Sequence, residues 1–253
     1  MSCSIAVIPA AGLGTRMYPL THYVAKELLP LGSRPALDYI MKELKECGIR
    51  DVVIVSSDEK KPYFETFSKE CQKTHGITCH ITIQKNPLGL GHAVLCAKNI
   101  VGDNQFVVAL PDDILIGQNP TKYLMEAAER IQGSAILCQR VDLSEVDKYG
   151  IVKTKGDSRL VSYVVEKPKR NEAPSNIAVI GRYCFSPHLW DKLEESLQIK
   201  LDSHGSQELD LTLPMNKLVE ASHKITICEF HGLRHDIGKM DGYLKAFCDL
   251  ARA

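Results

Sequence analysis

Short apolar runs rich in β-branched residues alternate with segments of helical periodicity, and this alternation constrains the fold most. Several runs carry no polar alternation, as strands do when both faces of their sheet are covered. The predicted strands are Ile5–Ala10, Asp51–Ser57, Thr78–Gln84, Phe106–Leu110 and Ala135–Val141. The predicted helices between them are Pro35–Gly48, Lys61–Lys73, Gly91–Ile100 and Thr121–Gln132. Repeated strand–helix–strand order predicts an α/β fold with a mostly parallel, Rossmann-like sheet and helices on both faces.

The pattern changes after Gly150, where strand-like segments are joined by polar turns. These segments predict antiparallel ribbons added to the sheet: Ile151–Lys153, Leu160–Glu166 and Ala178–Phe185. The predicted helices that close the chain are Pro187–Leu197, Glu208–Ala221 and Met240–Ala253. One further predicted strand, Lys224–Phe230, lies among these helices. Because no linker or repeat interrupts the chain, we expect one domain over residues 1–253.

Composition limits the classes of partner. The 31 Lys and Arg residues balance the 31 Asp and Glu residues, so the chain has no overall attraction to nucleic acid or anionic lipid. No apolar stretch is long enough to span a bilayer, and no signal peptide precedes the first strand. Nine cysteines, an odd number, lie mostly in apolar runs. These features predict a cytoplasmic protein without nucleic-acid or membrane partners.

Two groups of side chains suggest a metal site at first sight. Four of them lie close together along the chain: Cys71, His75, Cys79 and His80. They contain no CxxC pair, and two lie on a predicted strand, so a zinc site is disfavoured. His231 and His235 have helical i,i+4 spacing, but Gly232 between them argues against a helix. We therefore interpret both as loop histidines.

A glycine-rich loop, Ala10–Arg16, directly follows the first predicted strand. Its glycines permit positive φ and close approach, so successive N–H groups can cradle phosphate oxygens, and Arg16 adds a charge suited to bidentate contacts. A tight strand-to-helix turn would show the same pattern. The Rossmann dinucleotide fingerprint is a further interpretation, but Met17 replaces its third glycine and Pro19 interrupts the helix that should follow.

Further motifs follow the loop in a fixed order. They are GxGTR-PLT-KExLP over residues 12–30, Gln84 with Pro87–Ala93, Leu110–Asp113, Tyr149-Gly150, Glu166-Lys167-Pro168, Ala178–Tyr183, Asp236-Ile237-Gly238 and Gly242-Tyr243-Leu244. Together they resemble the sugar-phosphate nucleotidyltransferase family over nearly the whole chain. The Lys26-Glu27 pair resembles the bacterial members that use UTP and glucose 1-phosphate. The resemblance implies a GT-A-like nucleotidyltransferase fold.

The resemblance also implies a reaction: transfer of UMP from UTP to glucose 1-phosphate, giving UDP-glucose and pyrophosphate. A sugar 1-phosphate is largely dianionic at neutral pH, because its second pKa is about 6, and it needs no general base. Positioning and charge stabilisation should therefore dominate catalysis, as in other phosphoryl transfers. We expect cations around two phosphates, and the candidate catalytic cations are Arg16, Lys26 and Lys167.

Two aspartates are candidate ligands of Mg²⁺. Asp112 follows the predicted strand Phe106–Leu110, and Asp236 follows Lys224–Phe230. Carboxylates on separate strand ends can converge on this hard, oxygen-preferring ion, and the resemblance assigns both to that role. Asp113 is the competing ligand, and we favour Asp112 because family members match at that position.

The resemblance assigns the remaining site residues. The nucleotide-binding set is Ala11, Gly12, Gly14, Thr15, Glu27, Gln84 and Gly89, and the sugar-phosphate set is Gly150, Glu166, Lys167 and Val179. Residues 1–141 would thus form the nucleotide half, and residues 142–253 the sugar-phosphate half. The Gln84 amide could both donate to and accept from a pyrimidine edge. Glu166 and Lys167 could equally form a surface ion pair.

Two alternatives stay open, and the chain departs from the family pattern in three respects. The enzyme could use dTTP or another sugar 1-phosphate, or the chain could be a non-catalytic regulatory relative. A nicotinamide oxidoreductase is rejected, because Met17 replaces the third glycine and no acidic residue ends the second predicted strand. Ala25 stands where the family usually has Pro, and Leu213-Pro214 where it usually has Asp-Ala. The chain is also shorter than typical bacterial members in regions that contribute to oligomer contacts. A homo-oligomer is therefore one option, and the oligomeric state of the family is not carried over to this chain.

Overall fold

A computed structural model describes residues 3–203 and 208–251. Its strands are β1 (Ile5–Pro9), β2 (Pro30–Leu31), β3 (Arg34–Pro35), β4 (Asp51–Ser56), β5 (Thr78–Ile83), β6 (Phe106–Ala109), β7 (Asp113–Ile116), β8 (Ser134–Arg140), β9 (Gly150–Thr154), β10 (Val161–Glu166), β11 (Ile177–Phe185), β12 (Ile225–Glu229) and β13 (Leu233–Asp236). Its helices are α1 (Ala36–Glu46), α2 (Lys61–His75), α3 (Leu90–Leu95), α4 (Lys98–Val101), α5 (Pro120–Ile131), α6 (Leu189–Asp202), α7 (Thr212–Glu220) and α8 (Met240–Leu250).

The main sheet combines a parallel core with an antiparallel flank. Strands β6, β1, β4 and β5 lie side by side and run parallel. Strand β11 runs antiparallel to β6 and joins it to β8 and to the β9–β10 ribbon. Strand β12 returns parallel to β8. The predicted α/β class, with a mostly parallel core and an added antiparallel region, is confirmed.

The central strands of the sheet are buried on both faces, which explains the absence of polar alternation in them. In β1, Ala6 and Ile8 face a core shared with α1, α2 and α8, whereas Val7 faces the core shared with α3, α6 and α7. All three side chains have no solvent exposure. Burial of each larger aliphatic side chain contributes about 1.5–3 kcal/mol, so the central strands stabilise the fold from which the loops at the sheet edge extend.

Some predicted elements differ from the structure. The helix predicted over Gly91–Ile100 is two helices, α3 and α4, because the Ala97 N–H bonds to the Val94 carbonyl only three residues earlier, at 3.0 Å. Strands β7 and β13 were not predicted, and they pair with each other outside the main sheet. His235, predicted to lie in a loop, is on β13 and buried. Strands of four residues, such as β7 and β13, are too short for an alternation of polar and apolar residues to be recognised in the sequence.

The start of α7 accommodates one departure from the family pattern. The predicted helix Glu208–Ala221 begins only at Thr212, since the Asp210 carboxylate accepts the N–H groups of Thr212 and Leu213 at 2.8 and 3.1 Å. Pro214 lies in the first turn, where a missing N–H removes no helical bond. Within residues 3–203 and 208–251, none of the helices has the length and apolar character needed to cross a bilayer.

In the cysteine and histidine group near α2, both histidines are paired with aspartates. His75 Nε2 lies 2.6 Å from the Asp38 carboxylate, and His80 Nε2 lies 2.8 Å from that of Asp51. Among the described residues, no group of three or more His, Cys, Asp or Glu side chains could hold a metal ion.

Candidate active site

The carboxyl ends of β1, β4, β5 and β6 open into a cleft of about 650 Å³. A second cleft of about 370 Å³ adjoins it, and Leu90, Leu110 and Asp112 line both. The predicted nucleotide residues and Lys26 all line the first cleft. Arg16, Asp236 and the predicted sugar-phosphate residues all line the second. The structure therefore brings together every predicted site residue, whose individual roles stay predictions, in a space of ordinary ligand-site size.

The glycine-rich loop presents its backbone to the first cleft. Gly14 has a φ of 68°, and its carbonyl accepts the Thr21 hydroxyl at 2.9 Å, which fixes the turn. In the part of the chain that the structure describes, the N–H groups of residues 11–14 donate no hydrogen bond. Consecutive N–H donors without protein acceptors at a cleft form a natural binding surface for phosphate oxygens.

The Asp112 carboxylate is ionised and paired. Its Oδ2 lies 2.8 Å from the Lys26 ammonium, and both side chains are largely buried. Burial acts to raise the pKa of Asp112, but the positive charges of Lys26 and Arg16 outweigh it, so the pKa lies below its usual value. The carboxylate can therefore serve as an anionic ligand throughout the neutral pH range.

Gly238 marks a small space between three charged groups. A Cβ at this position would lie 3.0 Å from Asp236 Oδ1, 3.1 Å from Asp112 Oδ2 and 3.1 Å from Arg16 Nη2. The β7–β13 pairing brings the two aspartates together, with the Ile237 N–H donating to the Asp112 carbonyl at 2.8 Å. Two convergent carboxylate oxygens fit a hard cation such as Mg²⁺, which takes its other ligands from water and phosphate.

Asp113 is occupied by other contacts. One carboxylate oxygen pairs with Arg234 at 2.8 Å, and the other accepts the Gly181 N–H at 2.7 Å. The Arg234 guanidinium also contacts the Tyr149 hydroxyl at 3.3 Å. Since both of its oxygens are engaged inside the protein, Asp113 is less suited than Asp112 to bind a metal ion. This arrangement supports the preference for Asp112 drawn from the sequence.

The Gln84 amide has fewer hydrogen-bonding groups free for a ligand than its position in the sequence indicated. Its Nε2 donates to the Gly89 carbonyl at 3.0 Å and lies 3.0 Å from His92 Nδ1. Burial lowers the pKa of His92, partly offset by a bond to the Asn86 backbone, so the neutral ring accepts this second bond. The prediction that Gln84 both donates to and accepts from a base is therefore corrected, because its two N–H bonds are used and only Oε1 remains.

Glu166 lines the second cleft. Its Oε2 accepts the Thr212 hydroxyl at 2.7 Å, and its Oε1 lies 3.5 Å from the Lys167 ammonium. Lys167 has a φ of 44° and 62% of its side chain exposed, so the long ion pair contributes little stability. A Cβ on Gly150 would lie 3.3 Å from Glu166 Oε2, which shows how closely the backbone approaches here.

Comparison with known proteins identifies the family. The nucleotidyl transferase family profile matches residues 5–253. The chain belongs to this family. It is 36% identical over 269 residues to the UTP–glucose-1-phosphate uridylyltransferase of Bacillus subtilis (strain 168), covering 97% of this chain and 90% of that protein. The predicted family is confirmed.

Relatives of known structure agree with this assignment. A UDP-glucose pyrophosphorylase complexed with UDP-glucose matches with a TM-score of 0.88 and 28% identity, covering 99% of both chains. A UTP-bound UGPase from Acinetobacter baumannii matches with a TM-score of 0.82 and 30% identity, covering 98% of this chain and 93% of that one. The nucleotidyl transferase fold therefore extends over the described chain.

Arg182 is a site-supporting residue of this nucleotidyl transferase that the sequence analysis missed. Its fully buried guanidinium makes two bonds to Glu43, at 3.0 and 2.9 Å. It also donates to the carbonyls of Leu110, Gly181 and Asp113 at 3.0–3.1 Å. Leu110 and Asp113 flank the turn that carries Asp112. A charge inside the apolar run Ile177–Phe185 was the available signal, since a buried charge requires partners.

Lys60 is the second missed residue. It lies between β4 and α2, and its ammonium contacts the carbonyls of Ala10 and Gly12 as well as the Glu27 carboxylate. The sequence offers no signal for it, because Lys60 is one of two adjacent lysines in a polar stretch.

Proposed function

We propose that this nucleotidyl transferase moves UMP from UTP to glucose 1-phosphate and releases pyrophosphate. The meeting of the two clefts at Asp112 carries the proposal, because one cleft has the glycine-rich loop and the other has Glu166 and Lys167. Relatives 34–36% identical in sequence are named UTP–glucose-1-phosphate uridylyltransferases, which supports the choice of substrates.

The chemistry is an in-line displacement. A phosphate oxygen of the sugar 1-phosphate attacks the α-phosphorus of UTP, and the bond to the β-phosphate oxygen breaks, so that pyrophosphate leaves with the electron pair. No proton transfer is required. Lys167 would hold the sugar phosphate, the loop N–H groups would hold the triphosphate, and Arg16 and Lys26 would stabilise the charge at the point of transfer. Mg²⁺, when bound by Asp112 and Asp236, would polarise the phosphate oxygens.

The geometry at Gln84 favours bases with an N–H group. Only its Oε1 is available to a ligand, and this oxygen can accept the N3–H of uracil or thymine. Cytosine has no hydrogen on N3 and would place two acceptors in contact. UTP and dTTP are therefore favoured over CTP, and purines would be rejected by their size in a pocket fitted to a pyrimidine. The methyl group that distinguishes thymine from uracil is worth roughly 1–3 kcal/mol in such a pocket.

Release of pyrophosphate across a panel of NTPs and sugar 1-phosphates tests the proposal. UTP with glucose 1-phosphate should give the highest kcat/KM, with dTTP next and CTP, ATP and GTP well below. A purine nucleotide as the best donor would overturn the uridylyltransferase assignment. No pyrophosphate with any pair would favour the non-catalytic alternative, although Arg16, Lys26, Asp112, Lys167 and Asp236 are all present.

A further inference from the structure

The Lys60 ammonium, on the segment between β4 and α2, contacts both the glycine-rich loop and the turn that carries Glu27, beside the first cleft. Its Nζ donates to the Ala10 carbonyl at 3.0 Å and to the Gly12 carbonyl, and lies 3.1 and 3.2 Å from the two Glu27 oxygens. An ammonium has three N–H bonds, so these three groups use its whole donor capacity. The side chains of Lys60 and Glu27 are 11% and 0% exposed, so neither is a solvated surface charge.

The bonds from Lys60 determine where the loop amides point. In a trans peptide the C=O and the following N–H point in opposite directions. Since the carbonyls of Ala10 and Gly12 face the Lys60 ammonium, the N–H groups of Ala11 and Leu13 point away from it. These N–H groups have no acceptor among the described residues, and both residues line the first cleft.

The charge of Lys60 is compensated inside the protein. Burial lowers the pKa of Lys60, and the adjacent Glu27 carboxylate offsets part of this shift by stabilising the ammonium. A lysine already paired with a buried carboxylate adds little net positive charge to the cleft. Its contribution to ligand binding must therefore come mainly from the position of the groups that it holds.

We propose that Lys60 is a positioning residue that holds the glycine-rich loop with its amides directed toward the triphosphate and pyrophosphate of the substrates. The proposal rests on the proposed nucleotide site and extends it. Through Glu27, Lys60 also fixes the turn Lys26–Leu28, from which Lys26 reaches Asp112. One buried ammonium thus fixes the positions of both the glycine-rich loop and the neighbouring Lys26 side chain.

Four variants separate position from charge. K60M removes the ammonium at nearly constant volume, and E27Q removes only the negative charge. K60M/E27Q removes both, so the local net charge is unchanged and no unpaired charge stays buried. K61M is the matched control, because Lys61 is half exposed and pairs at the surface with Glu65 at 3.7 Å. Thermal unfolding of each variant establishes that it is folded.

Two measurements give the readout: titration with pyrophosphate and Mg²⁺, and steady-state kinetics with each substrate varied. K60M and K60M/E27Q should lose on the order of 100-fold in kcat/KM for UTP, since small misplacements of binding groups have effects of this size. Both should also bind pyrophosphate more weakly, while the KM for glucose 1-phosphate stays unchanged. E27Q should lose much less, because Lys60 keeps its bonds to the two carbonyls.

Three results would overturn the proposal, and one would support it whichever nucleotide is the substrate. Recovery of K60M/E27Q to the level of E27Q would mean that Lys60 only neutralises Glu27, and would overturn the proposal. An equal rise in KM for both substrates, or a loss in K61M as large as in K60M, would overturn it as well. Because pyrophosphate binding does not depend on the base, its loss in K60M would support Lys60 even if UTP proved to be the wrong nucleotide.

Discussion

The ammonium of Lys26 lies 2.8 Å from Oδ2 of Asp112, which is 86 residues further along the chain. The same oxygen faces the space above Gly238, opposite Asp236 Oδ1. Lys26 therefore keeps Asp112 ionised and directed at this space without a metal ion. The pKa of Asp112 is depressed, so the stability from this pair is present above the usual value of 3.8 and is lost as the pH falls through the folded value.

Loss of either carboxylate charge should abolish most of the turnover. D112N and D236N each keep the side-chain shape but weaken cation binding, and we expect a loss of about 3 kcal/mol or more in transition-state stabilisation. Activity measured against Mg²⁺ concentration tests this expectation, with D103N at an exposed position as the control. D113N should instead lower the melting temperature, because it removes the negative charge that pairs with the largely buried Arg234 guanidinium. Normal rates for both D112N and D236N would contradict the two-aspartate site.

A methyl group at Gly238 should inactivate the enzyme without unfolding it. The added Cβ would lie within about 3.1 Å of Asp236, Arg16 and Asp112, which is closer than ordinary van der Waals contact. These are ends of side chains, so the protein can adjust, but the space between the carboxylates is filled. We expect G238A to bind uridine as the wild type does, and to show a strongly reduced kcat and a weaker response to Mg²⁺. A kcat equal to that of the wild type would show that this space is not used.

The sequence predicted the elements with strong patterns and missed those held by tertiary contacts. The central strands were predicted within one or two residues, because their unbroken apolar runs reflect burial on both faces. Strand β13 was missed because its pattern, Leu-Arg-His-Asp, is determined by pairing with β7 and not by its own composition. Motif order brought Asp112 and Asp236 into one site. The amide orientation of Gln84 was not predictable, because it depends on the positions of Gly89 and His92 in space.

Among the site residues that the sequence analysis missed, substitution of Arg182 should cost the most stability. R182M leaves Glu43 buried without its charged partner and removes the Arg182 donors from three carbonyls around the Asp112 turn. Breaking a buried pair in this way costs about 3–5 kcal/mol of the free energy of unfolding. Urea titration measures the loss. R140M is the control, because Arg140 pairs with Glu229 at a side chain that is 57% exposed, and such a pair is worth about 1 kcal/mol at most.

The double variant R182M/E43Q separates stability from activity. It removes the unpaired charge, so part of the stability lost in R182M should return. The carbonyls of Leu110 and Asp113 still lack the bonds from Arg182, so kcat should remain low. Full recovery of kcat together with stability would show that Arg182 only compensates the Glu43 charge and does not position the Asp112 turn.

Discrimination between UTP and CTP should weaken at acidic pH. Neutral His92 accepts an N–H of Gln84, which keeps Oε1 directed at the base. Protonation puts a hydrogen on His92 Nδ1, and the amide then loses its acceptor and is driven to turn its oxygen toward the ring. Burial holds the folded pKa of His92 below its ordinary value of 6.5, so the neutral form persists below that pH. As the unfolded chain takes up this proton more readily, acid also lowers the stability contributed by His92.

The ratio of kcat/KM for UTP to that for CTP, measured from neutral pH to below the folded pKa of His92, tests this mechanism. In the wild type the ratio should fall with acidification, because a turned amide presents N–H groups that cytosine N3 can accept. The control is H92N, in which an amide oxygen near the position of Nδ1 accepts the same Gln84 bond but does not titrate. Its ratio should stay high and constant over the same range. An equal fall in H92N would assign the pH dependence to another group, and a constant ratio in the wild type would mean that His92 does not orient Gln84.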